Sequence, residues 1–290
     1  MRWIIDFVTF IRFNRSIYVI PYALGAYLVC NRGWGSIEVF FEILICLTAA
    51  VVMFLFFNRY HENEYSLNSD VSFHRGRQHR ERLLNMIGPG GSLFISGSAL
   101  LVLILGTLAI RGRLLWWLIP LVGIMACYAP ARRIHWGAHF LLGAIMGAVV
   151  PAVYLAILGK VTMSSILLGS AIMFWTAGYD TIVALQRTGM DETLGRVTAP
   201  LSIGHTNSVY LARVCHFVSM LAFLSYGVLE RRGLIYVTVM LLIGFIVAFV
   251  HWRLPRLEDR AHVSRDFFNM NALVSIGFFG VTVFVHVSRL

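Results

Sequence analysis

The segment Tyr179-Asp180-Thr181-Ile182-Val183-Ala184-Leu185-Gln186, followed by Asp191, holds the densest set of groups able to do chemistry. It closes a strongly apolar run, so Asp180 sits at membrane depth near the end of a span, a costly place for a carboxylate. Two accounts fit. The acid lines a water-filled cavity and meets an ion or a partner cation, or it lies close enough to the interface to reach water or a local Arg. Tyr179, Thr181 and Gln186 put further polar groups beside it and favour the first. A second cluster follows another apolar run: Asn58-Arg59-Tyr60-His61-Glu62-Asn63-Glu64-Tyr65-Ser66, then Asp70. On a helix that continues past the membrane surface, Asn58 and Glu62 are four apart and share a face. Such helix ends, turned toward one another, build oxygen-ligand sites for divalent cations. Taken alone, this cluster fits better a solvated helix on which Arg59 and Glu62 pair three residues apart.

Elements at the membrane surface must position these groups. Runs of about 17–25 apolar residues give nine spans, at 14–31, 37–57, 92–110, 114–130, 136–158, 163–185, 208–228, 233–252 and 270–287. Composition agrees: of 290 residues 58% are hydrophobic and 13% charged, and the mean hydropathy is +0.75. A soluble domain is about a quarter charged, so disorder, a disulfide scaffold and an ordinary soluble enzyme are excluded. The expected fold class is an all-α polytopic membrane protein. It has nine transmembrane helices in a single bundle around a cytoplasm-facing cavity, one domain over residues 1–290. Arg12 and Arg15 precede a long run without a small-residue cleavage site, so the first segment reads as a retained span.

The formal charge is +10. All basic residues except Arg32, Arg111, Arg113, Lys160, Arg231, Arg232 and Arg289 fall on the side that nine spans assign to the N-terminus. That bias puts the N-terminus in the cytoplasm and the C-terminus outside. No basic stretch lies beyond the inter-helix loops, so nucleic acid is not expected as a partner. The four cysteines are far apart with no C-x-x-C, which indicates neither a metal site nor a disulfide framework. Long connections at 58–91, 186–207 and 253–269 share the cytoplasmic side with most of the acids, so any chemistry faces the cytoplasm.

Other residues have blander readings. His61, His74, His79 and the Arg75, Arg77, Arg80, Arg82 group read first as a retention signal and second as a phosphate or headgroup patch. Glu38 and Glu42 read as interfacial acids, and His139 and His216 as satisfied inside the bundle. Pro120, Pro130 and Pro151 are expected to kink their spans. Gly143 and Gly147 form a small-x-x-x-small pair expected to pack helices closely within the fold.

The stretch Tyr179 to Gln186 resembles the second signature of the UbiA superfamily of intramembrane prenyltransferases, nearest its 4-hydroxybenzoate polyprenyltransferase branch. Further segments agree in order and spacing. Ile11-Arg12-Phe13-Asn14-Arg15-Ser16-Ile17 resembles the family's first span, and Asn58 sits where its first Asp-rich motif begins. Tyr128-Ala129-Pro130-Ala131-Arg132-Arg133 resembles its Tyr-Pro…Lys-Arg segment, and Gly195 and Gly204 match glycines after the second motif. The resemblance covers nearly the whole chain and implies a nine-helix fold. It also implies transfer of an isoprenoid from a prenyl diphosphate to an aromatic or other lipid-soluble acceptor. Mg²⁺ held by two Asp-rich motifs would bind the diphosphate, whose departure leaves an allylic carbocation that alkylates the acceptor. The roles carried over are catalytic for Asp180 and Asp191, metal-binding for Glu62 and Asp191, and substrate-binding for Asn58, Arg59, Arg132, Arg133, Tyr179, Gln186 and Arg187.

The departures are specific. The family's Asn-Asp-x-x-Asp-x-x-x-Asp has become Asn58, Arg59, Glu62 and Ser66, and its Asp-x-x-x-Asp has become Arg187 and Asp191. A cation 4 Å from a unit charge costs about 4 kcal/mol at an effective dielectric of 20, and roughly double beside a divalent ion. Arg59, Ser66 and Arg187 therefore argue against a conventional two-magnesium site. They do not argue against diphosphate binding, because Arg grips phosphate oxygens bidentately without metal. Two functions follow: a UbiA-like prenyltransferase with an altered site, or a catalytically silent UbiA-fold subunit that binds lipid or quinone within a membrane complex. The partners implied are membrane lipid, a prenyl diphosphate and, for the second function, protein subunits of that complex.

Overall fold

The computed structural model describes residues 18–32, 35–66, 75–253 and 260–288, and every regular element among them is a helix. In chain order these are α1 (Val19–Asn31), α2 (Ile37–Ser66), α3 (Arg75–Arg111), α4 (Leu114–Ile134), α5 (Ala138–Gly147) and α6 (Val149–Leu158). They continue with α7 (Met163–Leu185), α8 (Thr188–Thr193), α9 (Ala199–Ile203), α10 (His205–Leu229), α11 (Gly233–Arg253) and α12 (Arg260–Val287). Among the described residues eight stretches are long and apolar enough to cross a membrane, and α1 is a shorter apolar helix. These eight match the second to ninth expected spans. Of the first, 14–31, residues 14–17 lie outside the described residues.

One expectation is corrected. The connection read as a long loop at 58–91 is largely helical, because α2 runs on through Ser66 and α3 begins at Arg75. Its charged residues carry no apolar run, so hydropathy alone ends the span early. Within α3, Gly88 takes φ 62° and ψ 177° just before Pro89. A proline disfavours helical geometry in the residue before it, and glycine tolerates the positive φ that results.

The chain forms two compact units, one over residues 41–129 and the other over 18–40 and 130–290 among the described residues. In the first, Ser96 Oγ donates to the Met53 carbonyl at 3.1 Å, joining α2 to α3. The Phe54 and Tyr128 rings lie 5.3 Å apart and join α2 to α4.

In the second unit α7 is central: 56% of its most apolar window is buried, against 22% for α11. Gly143 and Gly147 let α5 lie against it. A Cβ on Gly143 would overlap the Met173 carbonyl oxygen, and one on Gly147 would overlap that of Gly169. The small-residue pair is thus a packing device inside the fold, as its spacing predicts. The helix breaks at Ala148, three residues before Pro151, whose ring nitrogen cannot donate to the preceding turn. Behind α7 runs a buried polar chain. Trp175 Nε1 donates to Asn271 Oδ1 at 2.8 Å, His216 Nε2 donates to the Trp175 carbonyl at 3.2 Å, and His216 Nδ1 lies 2.7 Å from His251 Nε2. His216 is accordingly satisfied within the bundle.

Candidate functional site

Asp180 lies in the last two turns of α7, with its side chain 22% exposed. Its Oδ2 is 2.7 Å from Nδ1 of His139, in the first turn of α5. Arg187 and Arg132 are the cations whose charge reaches it. The carboxylate thus meets a buried imidazole, with two arginine charges in its surroundings. Thr181 spends its hydroxyl within the helix, on the Ala177 carbonyl at 2.8 Å.

Beyond α7 the chain folds tightly. Gln186 is the C-cap residue, and its Nε2 is a buried donor with no hydrogen-bond partner. Arg187 Nε donates to the Val183 carbonyl at 3.4 Å and so lies back along α7. Asp191 is 1% exposed, and Arg196 Nη1 donates to its Oδ1 at 3.0 Å. Backbone bonds from Asp191 N to Arg187 O (2.8 Å) and from Arg196 N to Asp191 O (2.9 Å) close the same turn. Val197 N then donates to the Arg132 carbonyl at 2.8 Å, fastening this segment to the end of α4.

The second unit thus brings together Asp180, Arg132 and Arg187 of the expected site residues, with Asp191 in the adjoining turn. Arg133 is half-buried on the last turn of α4, and Tyr179 is half-buried beside Asp180. Asn58 and Arg59 belong to α2, in the first unit. Asn58 Nδ2 donates to the Phe54 carbonyl at 2.7 Å, and its buried Oδ1 has no hydrogen-bond partner. The backbone of Glu62 and Ser66 is helical, but their side chains lie outside the described residues. Sequence reasoning missed Arg196 and the role of His139. His139 was legible only as a buried histidine that needs partners.

The donor set among the described residues does not fit a magnesium ion. Among the described residues no three His, Cys, Asp or Glu side chains converge on a point. Asp191, expected as a metal ligand, is instead the buried ion-pair partner of Arg196. Arg187 holds the position where the family pattern has its other acid, and brings a like charge to any cation there.

The model of the UbiA prenyltransferase family matches residues 18–273. A 4-hydroxybenzoate octaprenyltransferase of Aromatoleum aromaticum is 26% identical over 168 residues, 58% of this chain and 56% of that protein. The chain thus spans about half the length of the curated relatives it matches. Among solved structures, a UbiA homologue from Aeropyrum pernix superposes with TM-score 0.77 at 16% identity, over 95% of this chain and 98% of its own. Another from Archaeoglobus fulgidus, bound to GPP and Mg²⁺, gives 0.67 at 13% identity over 96% and 99%. The fold is shared over nearly the whole length of these structures.

Proposed function

The chain belongs to the UbiA prenyltransferase family, and on that premise we propose that it transfers an isoprenoid from a prenyl diphosphate to an aromatic or other lipid-soluble acceptor. The observation that carries this reading is the gathering of Asp180, His139, Arg132 and Arg187 at one end of α7. Arg132 and Arg187 are permanent cations with planar forks suited to phosphate oxygens. Held by them, the diphosphate leaves with the electron pair of its bond to the isoprenoid, and they offset the charge that gathers on it. Arg133, Tyr179 and the unpartnered Gln186 amide extend the donor-binding surface. Asn58 and Arg59 are assigned to it from their motif positions alone. The acceptor carbon then bonds to the allylic carbocation, and Asp180 takes up the proton the alkylated ring releases. Asp191 acts through its ion pair with Arg196, which keeps the 187–196 turn folded. No step runs through Mg²⁺, because the described donor set does not fit it. The positive-inside bias directs this end of α7 to the cytoplasm, where diphosphates are soluble.

The test is direct. Purified protein in lipid nanodiscs is given labelled prenyl diphosphates of several lengths with 4-hydroxybenzoate, the acceptor in the names of its relatives. A prenylated product and released diphosphate are expected. Losing one charge-assisted phosphate contact costs about 1.5–3 kcal/mol, so R187A and R132A should each raise the donor KM by about 10- to 100-fold. No product with any donor, beside an active relative, overturns the reading in favour of a silent subunit, an alternative the comparisons do not support.

A further inference from the structure

We infer that His139 is a positioning residue with two tasks: it aims the Asp180 carboxylate, and it caps the helix that follows the 187–196 turn. The inference rests on the catalytic reading of Asp180 for the first task and on geometry alone for the second. The imidazole is 5% exposed and has a partner on each nitrogen. Nδ1 is 2.7 Å from Asp180 Oδ2, and Nε2 is 3.3 Å from the backbone nitrogen of Ala199. A backbone N–H can only donate, so Nε2 must present its lone pair. The ring proton therefore sits on Nδ1 and is donated to Asp180. The contacts select the tautomer that donates from Nδ1 to the carboxylate and accepts at Nε2 from the Ala199 amide.

The bond to Ala199 has a local cause. Ala199 opens α9, and the first amides of a helix lack partners within it. Thr198, the N-cap residue, would ordinarily fill that role through its hydroxyl. Here its side chain makes no cap hydrogen bond, and its buried Oγ1 has no hydrogen-bond partner. Pro200, next in line, has no N–H at all. The cap comes instead from His139, 60 residues away in sequence. One rigid ring thus ties α5 to both the reacting carboxylate on α7 and the segment that returns from the 187–196 turn, so a shift in one is felt by the other.

The two nitrogens can be tested separately. An Asn side chain puts its amide near the position of Nδ1, and a Gln reaches that of Nε2. H139N therefore keeps the donor to Asp180 and loses the cap, H139Q keeps the cap and loses the donor, and H139A loses both. Two measurements are made on the full chain in nanodiscs: hydrogen–deuterium exchange of the peptide over 197–203, and kcat with donor KM for prenyl transfer. Exchange should quicken at least tenfold in H139N and H139A and stay near wild type in H139Q. The kcat should fall tenfold or more in H139Q and H139A and clearly less in H139N, with donor KM within about threefold throughout. Equal exchange in all variants overturns the cap, and an equal kcat loss in all three overturns the aiming role. If the wild type transfers nothing, the proposed function has failed and so has aiming for catalysis, while the exchange pattern still decides the cap.

Discussion

Asp191 is a carboxylate removed from solvent with the Arg196 guanidinium against it at 3.0 Å. Removing one member of a buried pair strands the other charge, which typically costs 3–5 kcal/mol, whereas replacing both with apolar groups is often nearly neutral. D191A and R196A should therefore each lower the melting temperature of the purified protein sharply, and D191L/R196M should recover most of the loss. A double-mutant cycle by thermal denaturation measures the coupling. Additive losses would leave the pair no stabilising role in the turn. The pair also marks what sequence could and could not reveal about the site. Asp180 stands out because a carboxylate at the end of an apolar run needs a reason. Arg196 does not, because its contact crosses an irregular turn where no periodicity links the two residues. Arg132 and Arg187 were legible only through the family likeness, as cations at positions where its motifs are basic or acidic.

Helix α7 places Asp180 only as well as its neighbours hold it. On one side α5 approaches so closely that Gly143 and Gly147 have no room for a methyl group. The obstacle is backbone, which cannot rotate away. G143A and G147A should each destabilise the protein by about 1–3 kcal/mol, the usual cost of overpacking a tight contact. Activity should fall with stability, since His139 sits on the same helix one turn before Gly143. The check is denaturation by heat beside prenyl-transfer rates, and G123A, at a glycine with open space around its Cβ position, is the control. A G143A protein as stable as the control would contradict the packing. Spans of this kind are legible because each is an unbroken apolar run. The helical continuation of α2 to Ser66 was not, since propagating an existing helix needs no apolar run.

At the scale of the whole molecule, the number of crossings depends on the first span. Thirteen residues of α1 rise about 20 Å, short of a hydrocarbon core of about 30 Å. The span expected from sequence starts at Asn14, but residues 14–17 lie outside the described residues. The sides expected for the loops after α1 rest independently on the basic residues beside α2, α4 and α7, set against sparse ones at the opposite helix ends. On that expectation the C-terminus lies outside whether the first span crosses or not, and only the N-terminus reports on it. Alkaline phosphatase, active only after export, should work when fused after Leu290 and fail when fused to the 186–204 connection. A green fluorescent protein that folds only in the cytoplasm should fluoresce at the N-terminus. A dark N-terminal fusion with an active C-terminal one would reduce the crossings to eight. An inactive C-terminal fusion would invert the whole array, placing the Asp180 cluster on the side where diphosphates are scarce.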